Sequence, residues 1–96
     1  MDTTKTYQAT PFKTHMIKLD DAGLQRMAEF VYEAAPGFRS IEADPLAGIY
    51  RAEGFAHGWL LGQCKEGGEE WLRLTDFMGN VHRRVFDMIA KDNKNN

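Results

Sequence analysis

The chain has 96 residues, of which 43% are apolar and 11% aromatic, and its 12 basic and 14 acidic side chains give a formal net charge of −2 at pH 7. This composition excludes wholesale disorder and a polybasic nucleic-acid-binding arm, and the length fits one small domain over residues 1–96. A domain of this size buries only about 60–65% of its extended-chain surface, so its core is thin and self-association would add stability.

The cysteine count and the hydropathy limit the type of protein further. Cys64 is the only cysteine, which excludes an internal disulfide framework or a cysteine-cluster zinc site and favours a reducing, cytoplasmic location. No apolar run exceeds three residues, so the sequence predicts no membrane span. The first fourteen residues contain no apolar run of the kind that a secretory signal peptide needs.

Both ends of the chain are polar. Residues 1–13 have no periodicity and are predicted to form an extended arm, followed by a short extended segment over residues 14–19. Residues 92–96 are polar and low in complexity, which predicts a frayed C-terminal tail.

A first helix is predicted over residues 21–35. Asp20 and Asp21 provide an N-cap and a negative charge at the helix end where the dipole favours acids, and Pro36 with Gly37 ends the helix. Its apolar positions recur three or four residues apart and so share one face: Leu24, Met27, Val31 and Ala34.

A second helix is predicted from Pro45 to about Cys64. Asp44 can accept hydrogen bonds from the first-turn amides, and proline suits the first helical position because its missing N–H would have no partner there. Gly67 and Gly68 supply the stop signal.

The third helix carries the strongest periodic signal in the chain. Glu69 and Glu70 favour its start, and Lys91 favours its end. The heptad-like apolar positions between them are Trp71, Leu74, Met78, Val81, Val85 and Met88. Four further residues are expected to widen the buried face: Leu72, Phe77, Phe86 and Ile89.

These signals predict an all-α fold, a small three-helix domain with an extended N-terminal arm. An alternative is an α+β fold with a β-hairpin around residues 59–77, because Gly67 and Gly68 lie between two apolar runs and a glycine pair favours a tight hairpin turn. The alternation in those runs is imperfect, since Trp59 is followed directly by two leucines.

Glycines recur every four residues in the second predicted helix, at Gly54, Gly58 and Gly62. On a helix they form one bare ridge along which another backbone can approach closely, with Phe55 and Trp59 beside it. The ridge either packs against a helix of the same domain or contacts another chain. These five residues are the candidate interface.

The sequence shows no assembled catalytic or metal-binding set. His57 and Cys64 are two helical turns apart, about 10 Å along the axis, which is too far for a hydrogen bond. His15 and His82 lie in other segments, and no histidine pair has the spacing that puts two ligands on one helix face. We therefore expect no enzyme activity, cofactor, metal or small-molecule ligand.

Residues 74–88 resemble the helix-turn-helix motif of DNA-binding regulators, with Gly79 at the turn. The resemblance departs from the motif at Thr75 and Asn80, and Asp87 would face the DNA. It implies three DNA contacts: His82, Arg83 and Arg84. The alternative is one continuous helix with these residues in solvent, and a net charge of −2 disfavours a nucleic-acid partner.

The sequence thus predicts a non-catalytic protein that acts by protein–protein association. It would be a homo-oligomer or an accessory modulator or inhibitor that binds and occludes a larger partner. Small proteins without assembled chemistry are also typical of phages and mobile elements, although no motif here carries that interpretation. The alternative is a helix-turn-helix DNA-binding regulator.

Overall fold

The computed structural model describes residues 5–11, 15–38 and 45–94. In chain order the elements are β1 (Thr6–Gln8), β2 (Met16–Lys18), α1 (Asp21–Ala34), a 3-10 turn (Ala35–Phe38), α2 (Pro45–Leu61) and α3 (Glu69–Lys94). The predicted three-helix fold is confirmed, with a small two-stranded sheet added near the N-terminus. The alternative hairpin around residues 59–77 is wrong, because that segment ends α2 and begins α3.

The predicted extended arm contains the first strand of a hairpin. β1 pairs antiparallel with β2, with Tyr7 opposite Ile17, and both of these side chains are buried. The outer edge of β1 is covered by Gln63, whose carboxamide accepts from the Gln8 N–H at 2.9 Å and donates to the Gln8 carbonyl at 2.7 Å. One side chain thereby bonds both backbone groups that an edge strand would leave open.

α1 begins as its cap predicts. The Asp20 carboxylate accepts from the Gly23 N–H at 2.8 Å, which satisfies a first-turn amide. Gly23 also lies against the end of β2, and a Cβ added there would come within 1.8 Å of the Lys18 carbonyl oxygen. A glycine is therefore required where the hairpin joins the helix. The helix ends at Ala34, and the 3-10 turn follows it.

α2 ends at Leu61, three residues before the predicted end near Cys64. Gly67 then turns the chain towards α3 with a φ of 76°, a conformation that glycine adopts without strain. The predicted cap of α2, Asp44, lies outside the described residues.

α3 is one continuous helix that supplies the centre of the core. Leu74, Val81 and Val85 are completely buried, as the heptad-like spacing predicts. The helix passes through Gly79 without a break and extends to Lys94. The first residues of the predicted frayed tail, 92–94, are therefore helical, whereas Asn95 and Asn96 lie outside the described residues.

Polar contacts fix α3 against α1. On the α1 side, Arg84 donates to Gln25 at 2.7 Å and to Asp21 at 2.9 Å. The Tyr32 hydroxyl donates to the Asp92 carboxylate, a bond that raises the pKa of the tyrosine.

No polar or charged side chain among the described residues is buried, and none of their helices is long and apolar enough to span a membrane.

Two leucines in α3 provide a stability test of this fold. Leu74 is fully buried, whereas Leu72 is 61% exposed. Because side chains two residues apart point to the same side of a strand but to different sides of a helix, a hairpin would bury both or neither. Leu74→Ala should lower the free energy of unfolding by about 2–5 kcal/mol, and Leu72→Ala by about 0.5 kcal/mol or less.

The measurement is denaturant unfolding at a protein concentration low enough to keep the chain monomeric. Similar losses of stability from the two substitutions would contradict the helical register of α3.

Candidate interaction surface

The glycine ridge of α2 faces solvent. Gly54, Gly58 and Gly62 are exposed, on the side of the helix opposite its buried residues, which are Gly48, Ile49, Ala52, Ala56 and Leu60. A Cβ added at Gly54 or Gly58 would have no described atom within 4 Å outside its own helical turn, and at Gly62 it would meet only backbone carbonyls of α2. The interpretation that this ridge packs against another helix of the same domain is therefore wrong.

Phe55 and Trp59 lie on the α1 side of the ridge. Their rings stack with 6.5 Å between centroids and 16° between planes. Phe55 is 48% exposed and, with Met27 and Phe30 of α1, lines a small apolar cavity of about 160 Å³. Trp59 is half-buried, and its Nε1 is buried without a hydrogen-bond partner among the described residues. Phe55 is therefore the more accessible of the two candidate interface aromatics.

On the other side of the ridge, α2 and α3 enclose an open groove of about 360 Å³, which we call the α2–α3 groove. The groove is open because both helices present glycines to it, and a Cβ at Gly54 or Gly79 would again meet nothing within 4 Å. Its lining residues are Tyr50, Glu53, Gly54, His57, Thr75, Met78 and Gly79.

Three polar side chains around the α2–α3 groove have close partners within the chain: Glu53, His82 and Thr75. The Nδ1 atom of His82 lies 2.8 Å from the Glu53 carboxylate, which joins the two helices. The His82 ring also stacks with Tyr50 at 6.1 Å between centroids. Thr75 donates to the Trp71 carbonyl at 2.9 Å. These bonds stabilise the walls of the groove.

The remaining histidine and the cysteine lie elsewhere. His15 is in the hairpin, where its ring stacks on Phe30 at 4.7 Å. The Cys64 thiol donates to the Leu61 carbonyl after the end of α2. Within the part of the chain that the structure describes, no three histidine, cysteine, aspartate or glutamate side chains converge as metal ligands.

The helix-turn-helix interpretation of residues 74–88 is wrong as a structure, because α3 is continuous over all of them. Two of the three implied DNA contacts instead join helices: His82 bonds to Glu53 of α2, and Arg84 bonds to Asp21 and Gln25 of α1. Arg83 is exposed on α3, where it donates to Asn80 at 3.4 Å. Of the three, Arg83 is therefore the one that lies exposed rather than half-buried, and their contact with DNA stays a prediction.

A second exposed feature was not predicted from the sequence. Leu72, Asp76, Gly79 and Arg83 lie three or four residues apart and are all exposed, and we call them the α3 outer stripe. The expectation that Leu72 widens the buried face is wrong, since its side chain is 61% exposed. The sequence signal that could have identified this stripe is the recurrence of an apolar residue, an acid, a glycine and a base at this spacing.

Comparison with protein-family models, with curated proteins and with solved structures finds no match to this chain.

The openness of the glycine ridge can be tested by adding one methyl group. Gly58→Ala should raise the free energy of unfolding by about 0.5–1 kcal/mol, because alanine favours the helix and its Cβ meets nothing. Gly23→Ala is the matched control and should lower the stability by about 1–3 kcal/mol, because its Cβ would overlap the Lys18 carbonyl.

Both values come from denaturant unfolding of the monomer, with helicity checked by circular dichroism. A Gly58→Ala variant less stable than the wild type would contradict an open ridge.

Proposed function

We propose that this protein acts by non-catalytic association with another protein chain, through the solvent-facing side of α2 and α3. The observation that carries the proposal is the presence of exposed glycines on both helices, at Gly54, Gly58 and Gly79, with open space above them. Without side chains, these positions let the backbone of a partner helix approach closely.

Exposed apolar side chains surround these glycines and would contribute to the binding energy. Tyr50 is 53% exposed, Phe55 48% and Leu72 61%. Aromatic side chains at the centre of an interface contribute strongly to affinity because they bury much area at a low cost in conformational entropy. The Tyr50 ring stacks with His82 and lines the α2–α3 groove, which places it beside the exposed glycines.

The lining of the α2–α3 groove favours a binding role over catalysis. The described residues that line it include no cysteine, serine or lysine that could act as a nucleophile, and the Thr75 hydroxyl donates to the Trp71 carbonyl at 2.9 Å. Because Cys64 is the only cysteine of the sequence and has no cysteine within the chain to pair with, we also propose a reducing, cytoplasmic location, where an unpaired thiol is stable.

Filling the α2–α3 groove tests this function. Leucines placed together at Gly54 and Gly79 (Gly54→Leu with Gly79→Leu) should leave the monomer folded, because both positions have open space. They should abolish association, because the added side chains occupy the place of a partner backbone. Ala22→Leu, at an exposed position in the first turn of α1, is the matched control and should leave association unchanged.

Association is measured by chemical cross-linking and affinity capture with the full chain, both pure and in lysate of the native host, and folding by circular dichroism. Unchanged association of the folded double variant would contradict the proposal. A salt-sensitive gel shift of DNA by the wild type that Arg83→Ala removes would favour the DNA-binding regulator instead.

A further inference from the structure

We propose that the partner on this surface is a second copy of the same chain, with the two α3 helices packed antiparallel along their outer stripes. The two-fold axis would pass beside Gly79. This inference rests on the proposed function, for which it names the partner and the register of the contact.

The α3 outer stripe is complementary to itself when it is reversed about Gly79. Leu72 lies seven residues before Gly79, and Phe86, a partly buried ring on the groove side of the stripe, lies seven residues after it. In an antiparallel pair each leucine would therefore pack against the phenylalanine of the other copy. A two-fold interface has this reciprocity, because a residue that contacts a second residue of the other copy is contacted in turn by that same residue's counterpart.

The charges have opposite signs and nearly the same symmetry. Asp76 lies three residues before Gly79 and Arg83 four residues after it, and both are exposed. Reversal about Gly79 therefore leaves each aspartate one residue, about 1.5 Å along the axis, from the arginine of the second copy, and the two long side chains would close this offset to form two equivalent ion pairs. Among the described residues, Arg83 has Asn80 as a partner, at a long 3.4 Å, so its guanidinium retains donors for a carboxylate of the other copy.

The other charged groups near the stripe do not oppose this pairing. Glu53 is the nearest acid on α2, and its carboxylate is already paired with His82. Arg84 lies about 100° around α3 from Arg83, on the side where it is bonded to α1. Asp87 is exposed one turn beyond Arg83, and reversal about Gly79 places it opposite Trp71 rather than opposite an acid. Asp76 and Arg83 are therefore the charges nearest to each other across the pair.

The dimensions leave room for a second α3 along the molecule. The protein measures 42 Å along its longest axis, and α3 with 26 residues is itself about 39 Å long, so a second α3 can run along the whole molecule. A standard interface buries about 800 Å² per partner, which is about one eighth of the 6375 Å² of accessible surface. Gly79 at the crossing and Gly54 beside it let the two helices approach without a side chain between them.

Reciprocal charge reversal tests the pairing and its register. Asp76→Arg and Arg83→Asp should each raise the dimer dissociation constant at least about tenfold, because the symmetry places two like-charge contacts in each homodimer. An equimolar mixture of the two variants should form a heterodimer with close to wild-type affinity, since one chain then carries both bases and the other both acids. The double variant should dimerise as the wild type does.

Dissociation constants are measured by sedimentation equilibrium at low and high salt, and the differences should shrink in high salt. Glu33→Arg and Lys18→Asp reverse exposed charges outside the stripe and should leave the constant unchanged. Circular dichroism checks that each variant is folded.

A wild-type chain that remains monomeric at millimolar concentration would overturn the self-pairing. So would a dimer that neither single reversal weakens, or variants that do not recover affinity when mixed. The proposed function would still stand in these cases if the Gly54→Leu and Gly79→Leu double variant loses capture of a different protein. It would fail separately if that double variant retained every association of the wild type.

Discussion

The burial of one face of α3 is the constraint on which the rest of the structure depends. Leu74, Val81 and Val85 are inaccessible to solvent, and α1 and α2 pack on either side of this row. The hairpin closes the end of the core near the start of α3, where Lys5 is paired with Glu70 and its pKa is raised by that bond. Every other element is therefore positioned relative to α3.

This arrangement also determines which surface remains available. Three helices and one short hairpin enclose a single layer of apolar side chains, and no element within residues 5–11, 15–38 and 45–94 covers the side of α3 away from Leu74. Leu72 and Gly79 consequently lie in solvent, next to the exposed side of α2 that carries Gly54. The proposed interaction surface follows from the small number of elements rather than from a specialised loop.

The helices were predictable because their signals are local. The Asp20 cap, the proline at the start of α2 and the repeat in α3 each depend on residues within a few turns of one another. The strand pairing was not predictable, because β1 and β2 have only three residues each and neither contains a hairpin signal. The hydrogen bonds to the outer edge of β1 come from Gln63, which is 55 residues away in sequence from Gln8. A pattern of neighbouring residues does not predict a contact over such a distance.

The candidate site was predictable in its residues but not in its orientation. A spacing of four places Gly54, Gly58 and Gly62 on one line, but it does not indicate whether that line faces the core. The missing information was present on the same helix, since Ile49, Ala52, Ala56 and Leu60 also recur three or four residues apart and lie on the opposite side. Reading both lines together would have placed the glycines in solvent.

Packing within a single chain does not explain why the exposed positions of α2 and α3 are glycines. Each lowers helix stability by about 1 kcal/mol relative to alanine, which matters in a domain whose total stability is about 5–15 kcal/mol. Gly23 contacts the Lys18 carbonyl and Gly67 has a positive φ, so glycine is required at both positions within the monomer. Gly54 and Gly79 have neither constraint, and a second backbone lying across them would supply the steric requirement that the single chain lacks.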